Sequence, residues 1–289
     1  MKRNISIYIA FVVILLALDS CAQQDKKDTY TLKGYDLSAL EKTLLPEDLL
    51  EVSGIAFAPG EDSVIYAQQD EDGIIYQVSL SSGKVNSSSS FGESGDYEDI
   101  SILKDTVLLL RSDGKLYAFL LNDLNNDHCE PVNVWKKVVP SGEYEGLFAD
   151  SLTGSVWLLC KSCKADQGKG ATTLYQMKLN GNEWAVVEKI KIDNSQIAFK
   201  AGKKKVNFRP SALARHPLTH EVYMLSSVNK MIVVMDKDWN VQHVCLLHPR
   251  DFVQPEGIAF DRSGNLYVSH EGSATTNGNI IKLTYQKKP

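Results

Sequence analysis

Glu51-Val-Ser-Gly-Ile-Ala-Phe57 decides the fold, because the same pattern returns four more times along the chain. The other copies are Asp96-Tyr-Glu-Asp-Ile-Ser101, Glu143-Tyr-Glu-Gly-Leu-Phe148, Arg209-Pro-Ser-Ala-Leu-Ala214 and Gln254-Pro-Glu-Gly-Ile-Ala-Phe260. Each opens on a polar residue and runs into an apolar segment. One aligned column holds Ser53, Glu98, Glu145, Ser211 and Glu256; the next holds Gly54, Asp99, Gly146, Ala212 and Gly257. The copies start about 45 to 47 residues apart, except for one interval of about 66, and periods of this size mark propeller blades and related arrays.

The content of each repeat selects the array. A second apolar run follows each copy: Ser63-Val-Ile-Tyr-Ala67, Thr106-Val-Leu-Leu-Leu110, Ser155-Val-Trp-Leu-Leu159, Glu221-Val-Tyr-Met-Leu225 and Asn265-Leu-Tyr-Val-Ser269. A third run comes next, such as Lys115-Leu-Tyr-Ala-Phe119, and a fourth in most copies, such as Glu183-Trp-Ala-Val-Val187. The runs are short, β-branched and aromatic, and turn residues such as Asp113-Gly114 bound them. Four short antiparallel strands per repeat predict an all-β chain, a β-propeller of five blades. Six is the rival count, if Ile197-Ala-Phe199 in the long third repeat is an edge strand of a degenerate blade. The insertions at Lys161–Gly170 and Asp193–Val206 otherwise read as loops.

Residues 1–21 stand outside this repeat. Met1-Lys2-Arg3 is basic, Ile5–Leu18 is apolar but short for a membrane span, and Leu18-Asp-Ser-Cys21 closes the segment. This resembles a bacterial lipoprotein signal, which implies that Cys21 is lipidated; Asp19 departs from the usual small or apolar residue. Residues 22–29 then read as a polar tether and 30–289 as one propeller domain. The expected location is the cell envelope, anchored to a membrane on its extracytoplasmic side. Leu37–Leu50 reads as a short helical or irregular entry, interrupted by Pro46. The last repeat has only three strands, so Tyr30-Thr-Leu32 and its neighbours are expected to supply the fourth and close the ring. The net charge of −5 argues against a nucleic-acid partner, and Lys203-Lys204-Lys205 reads as a solvated loop.

Leu45-Pro-Glu-Asp-Leu-Leu-Glu-Val-Ser-Gly-Ile-Ala56, Phe208-Arg-Pro-Ser-Ala-Leu-Ala-Arg-His-Pro217, Val253-Gln-Pro-Glu-Gly-Ile-Ala-Phe260 and Gly264-Asn-Leu-Tyr-Val-Ser-His-Glu-Gly272 together resemble the SdiA-regulated (YjiK/CarP-like) family of bacterial envelope propellers. The resemblance spans roughly Leu44–Leu283. It implies a β-propeller in the envelope and a link, in some members, to calcium responses. Pro-Glu-Gly-Ile-Ala alone also resembles phytase-like esterase propellers.

The first strand of a propeller blade lines the channel, so Ser53, Glu98, Asp99, Glu145, Ser211 and Glu256 are expected near one channel mouth. Arg111 and Lys161 end second strands and, with Arg209, are expected to reach the same mouth. Glu71, in Gln69-Asp-Glu71, and His270-Glu271 follow second strands in the first and last repeats, adjacent once the ring closes; His270 is a candidate general base. Two like charges ~4 Å apart repel by ~4 kcal/mol at an effective dielectric of ~20, so something must offset clustered carboxylates. Three answers compete: Ca²⁺ held by Glu98, Glu145 and Glu256; basic neighbours; or hydrogen bonds that hold the blades in register. Catalysis by the same residues is a further reading. Asp123-Leu-Asn-Asn-Asp127 starts like a calcium loop, but His128 and Val134 stand where Gly and Glu are required, and a turn is expected instead.

Cys160-Lys-Ser-Cys163 has redox or zinc spacing without a second pair; a local disulfide or free thiols fit better than zinc. Cys129 and Cys245 read as packing residues. The functional expectation is a membrane-anchored binding or scaffold protein, calcium-linked in one version, whose partner is a small ligand or an envelope protein. The rival is a metal-dependent phosphoesterase or lactonase-like hydrolase at the same mouth.

Overall fold

The computed structural model describes residues 29–92 and 94–287. The expected signal segment, Cys21 and nearly all of the tether lie outside the described residues. Five four-stranded antiparallel sheets form a five-bladed β-propeller. The chain first lays down β1 (Glu41–Leu44), then blade I: β2 (Val52–Ala56), β3 (Val64–Gln69), β4 (Gly73–Ser79) and β5 (Val85–Gly92). Blade II is β6 (Tyr97–Leu103), β7 (Thr106–Arg111), β8 (Leu116–Leu120) and β9 (Asn133–Trp135). Blade III is β10 (Gly142–Asp150), β11 (Ser155–Cys163), β12 (Ala171–Asn180) and β13 (Glu183–Asp193). Blade IV is β14 (Ala212–Arg215), β15 (Val222–Ser226), β16 (Met231–Met235) and β17 (Val241–Leu246). Blade V is β18 (Pro255–Phe260), β19 (Leu266–His270), β20 (Asn279–Leu283) and, outermost, β1.

The near-continuous apolar second strands follow from the architecture. Successive side chains of a strand point to opposite faces, and here both faces meet another blade. In β11, Trp157 and Leu159 join the core between blades III and IV, whereas Val156 and Leu158 join that between II and III. In β15, Val222 and Met224 face blade III while Tyr223 and Leu225 face blade V. Five such wedge cores, one per interface, hold the ring together. Cys129 and Cys245 are buried in two of them.

The ring closes through an N-terminal strand, but not the expected one. β1 pairs antiparallel with β20 from Glu41↔Lys282 to Leu44↔Asn279. An outermost strand binds mainly through backbone hydrogen bonds and tolerates charge, so Glu41-Lys-Thr-Leu44 carries no apolar alternation to announce it. Tyr30-Thr-Leu32 instead runs along the outer edge of blade IV. Leu246 N–H donates to Thr29 O at 2.6 Å and His243 Nε2 donates to Thr31 O at 2.6 Å. A turn through Gly34 (φ 86°) then ends this strap. The entry segment is therefore strand β1 plus a 3-10 turn at Glu47–Leu49, not a helix.

Ile197-Ala-Phe199 is neither an edge strand nor a sixth blade. It lies in a short helix, α1 (Asn194–Lys200), capped by Asp193, which accepts from Ser195 N–H at 2.8 Å. Ile197 and Ala198, with Ala201 one turn further on, plug the core between blades III and IV, leaving Phe199 81% exposed. Three apolar residues at helical spacing are too few to display a period, so the sequence looks like a loop. The other insertion starts as strand, since β11 continues to Cys163 before the turns at 164–170. Asp123-Leu-Asn-Asn-Asp127 falls in a 3-10 turn at Leu121–Asn125, followed by Asn126 Nδ2 donating to Asp123 O at 3.1 Å.

Candidate functional site

The recurrent stretch builds two layers at one end of the channel. In four of the five inner strands the pairing register slips there: between Val52 and Ile55, Tyr97 and Asp99, Tyr144 and Gly146, and Pro255 and Ile258. Such bulges bend a strand and re-aim its side chains.

The deeper layer locks the blades together. Ser53 Oγ donates to Glu98 O at 2.6 Å, and Ser269 Oγ donates to Ser53 O at 2.6 Å while accepting from Gly257 N–H at 2.7 Å. Asp99 is fully buried; its Oδ2 accepts from Leu147 N–H at 2.7 Å and its Oδ1 from Ile100 N–H at 2.9 Å. Ser101 Oγ accepts from Ala149 N–H at 2.9 Å. The tiny column explains itself here: a Cβ on Gly54 would stand 2.5 Å from the Asp99 carboxylate and 2.6 Å from its Cα. Ser53 and Asp99, both expected at the mouth, thus serve blade register.

The outer layer gathers the acidic column. Glu98, Glu145 and Glu256 come from blades II, III and V; Glu98 feels the charge of both others, and Glu145 that of Glu256. Burial raises the pKa of all three. For Glu98 the charges of Glu145 and Asp96 add to burial, and Lys161 opposes them. For Glu256 burial is opposed by hydrogen bonds from Ser227 and Ser211, which places Ser211 at the mouth as expected. Glu271 joins from blade V: burial, then Glu256, Asp70 and Glu51, push it up to about 8, while Gln254 bonds it. Asp70 rises to about 6, from burial and then Glu51. The adjacency expected of the acidic spots in the first and last repeats is therefore present.

Lys161 is the resident cation. Its Nζ lies 2.5 Å from Glu145 Oε1 and 3.6 Å from Glu143 Oε1. Burial lowers its pKa, yet the Glu145 hydrogen bond and the charges of Glu145, Glu98 and Glu143 outweigh burial and raise it. Burial pulls Glu145 the other way, but the 2.5 Å contact with an ammonium decides for an ion pair at neutral pH. Glu98, Glu256 and Glu271 are then the buried carboxyls of the mouth without an ion pair among the described residues, Glu256 being held by Ser211 and Ser227 and Glu271 by Gln254. Lys161 lies near the end of β11, inside the small ring that the Cys160–Cys163 disulfide closes around Lys161-Ser162.

Arg111 does not join this group. Its guanidinium turns to Asp113, with Nε–Oδ1 at 3.0 Å and Nη2–Oδ2 at 2.5 Å, because its own hairpin turn offers the nearer carboxylate. His270 is a core residue rather than an open base: burial holds its pKa down at about 3, and it packs on Phe252. Glu71 is exposed in the turn between β3 and β4.

Four residues absent from the sequence candidates belong here. Glu51, Asp96 and Glu143 stand two positions before the acidic column, at or just before the start of the inner strands of blades I, II and III. Arg209, expected at the mouth, holds that same position in blade IV and lies 4.0 Å from Glu143. The fourth, Lys230, sits in the turn before β16 and feels Glu256 and Glu271; only the rule that such turns crown the mouth points to it. Among the described residues no group of three or more His, Cys, Asp or Glu is arranged to hold a metal ion. What the arrangement does offer is eight carboxyls (Glu51, Asp70, Asp96, Glu98, Glu143, Glu145, Glu256, Glu271) against three cations (Lys161, Arg209, Lys230).

Similar solved structures include Myxococcus xanthus glutaminyl cyclase, with a TM-score of 0.61 at 14% identity over 86% of this chain and 96% of that one. A luciferin-regenerating enzyme gives 0.51 at 10% identity over 85% and 95%. The PQQ-bound aldose sugar dehydrogenase of Streptomyces coelicolor gives 0.50 at 11% identity over 85% and 98%. At such identities the likeness is one of fold. No curated protein matches the chain. Residues 171–274, covering the end of blade III, all of blade IV and the start of blade V, match the SdiA-regulated family, which supports the resemblance carried by the sequence motifs.

Proposed function

We propose that the protein is a membrane-anchored binding propeller whose channel mouth captures a cationic group, an organic ammonium or Ca²⁺. The observation that carries this reading is the surplus of carboxyls over cations among the described residues of the mouth: burial raises the pKa of Glu98, Glu256 and Glu271, and neighbouring carboxylates raise Glu98 and Glu271 further. A positive ligand would relieve that repulsion and displace protons from these groups. Anchoring is the part supported by the N-terminal signal pattern and Cys21.

Calorimetric titration with putrescine and with CaCl₂ at pH 7.5, in two buffers of different ionisation heat, tests the mouth. Binding with net proton release is the expected result, and Glu256→Gln should weaken it about tenfold, the worth of one charge-assisted hydrogen bond. No binding of either cation at millimolar concentration would remove this reading. Mass spectrometry of the mature N-terminus tests the anchor, which requires an acylated Cys21.

A further inference from the structure

Beside the mouth, between blades III and IV, lies a cavity of about 290 Å³. β11 supplies one wall through Lys161 and the disulfide; α1 starts at its side with Asn194; the segment returning to β14 crosses it with Lys205 and Arg209. Its polar groups are mostly donors with spare capacity. Asn194 is only 5% exposed, and its Oδ1 accepts from Thr172 Oγ1 at 2.9 Å, which orients the amide and leaves its NH₂ without a protein partner among the described residues. Among the described residues Arg209 Nε is buried without a partner, and the guanidinium's one ion-pair contact is with Glu143 at 4.0 Å. Lys205 forms no ion pair among the described residues. The one carboxylate in the lining, Asp166, is already taken: its two oxygens accept from Thr173 N–H at 3.0 Å and Thr173 Oγ1 at 2.5 Å. Lys161 belongs to both places, since it lines this cavity and holds Glu145 and Glu143 at the mouth. A donor-rich pocket thus adjoins an acceptor-rich one.

We infer that the cavity takes the carboxylate of a zwitterionic ligand whose ammonium group sits among Glu98, Glu256 and Glu271, so the ligand class is a free amino acid or a short peptide with free termini. This rests on the cationic reading of the mouth. The Arg209 fork receives the carboxylate, the Asn194 amide adds a neutral donor and Lys205 adds charge. The separation of the poles by Lys161 sets the direction in which the ligand lies.

Calorimetry on the full chain with triglycine, triglycine amide and N-acetyltriglycine tests this. Triglycine should bind about tenfold more tightly than either blocked form, one charge-assisted contact being lost at each end. Arg209→Gln and, separately, Lys205→Gln should weaken triglycine binding and leave the amide unchanged. Both side chains are solvent-accessible, so neither change threatens the fold. Equal binding of triglycine and its amide overturns the carboxylate pocket while leaving the cationic mouth intact. Binding of the N-acetyl form with none of the amide overturns the mouth and the zwitterion together. No binding of any of the three overturns the zwitterion, and the putrescine titration then judges the mouth alone.

Discussion

Glu98 and Asp99 are neighbours in the chain and opposites in role. Asp99 points into the joint between blades II and III and spends its oxygens on backbone N–H groups. Glu98 points at the mouth, and what surrounds it is other carboxyls. The same division recurs in blade V, where Gly257 packs against Ser53 while Glu256 faces Ser211 and Ser227. One repeated stretch thus supplies both the fastening of the ring and the chemistry of its opening, because alternation sends consecutive side chains to opposite surfaces. A fastening residue should therefore matter to stability and a mouth residue to ligands.

The sharpest way to break this contrast is Asp99→Ala, which leaves the buried N–H groups of Leu147 and Ile100 unpaired. Each such loss costs ~1–3 kcal/mol, so denaturant unfolding should show a loss of ~2–6 kcal/mol. An unchanged midpoint would remove Asp99 from the fastening layer. Lys161→Gln comes next. It strands Glu145 without its ammonium, and we expect a loss of ~1–2 kcal/mol, below the ~3–5 of a fully buried pair because Lys161 is partly solvated. Adding Glu145→Gln to that variant should recover most of the loss.

Glu271→Gln probes the mouth through pH. The folded-state pKa of about 8 lies above that of an unfolded glutamate, so the folded protein holds the proton more tightly. Its contribution to stability is complete below the unfolded value near ~4.3 and disappears as pH rises through 8. Melting temperatures of the wild type should thus fall between pH 5 and 8 more steeply than those of the variant, and parallel curves would contradict the raised pKa. Cation affinity should run the opposite way and rise over the same interval. Arg111→Ala should do least, within ~0.5 kcal/mol and without effect on binding, since its partner is an exposed Asp113 in the same turn.

The blade count and the acidic column are legible in the sequence because both arise from a local rule repeated at constant spacing. Glu98, Glu145 and Glu256 align in the letters and meet in space for the same reason. What stays hidden depends on long-range pairing or on faint local signals. β1 binds by its backbone and shows no pattern. α1 is too short to show a period. Arg111 and Lys161 occupy equivalent strand ends, yet one folds back on its own turn and the other, beside a disulfide that spacing alone leaves ambiguous, pairs with Glu145. His270 reads as a base because burial cannot be seen in a two-residue motif.

The seam between β1 and β20 has a consequence for how the molecule comes into being. Glu41 and Lys282 touch across 241 positions of sequence, so the strand synthesised first among the twenty finds its partner last. Until then four blades and most of a fifth exist as an open arc with an unpaired edge, and joining such distant segments is the slow kind of contact. A circular permutant linking 287 to 29 and opening the chain between blades II and III would turn this latest contact into one of neighbours. Refolding should then accelerate while the finished ring remains the same, which would mark the seam as the step that sets the pace of assembly.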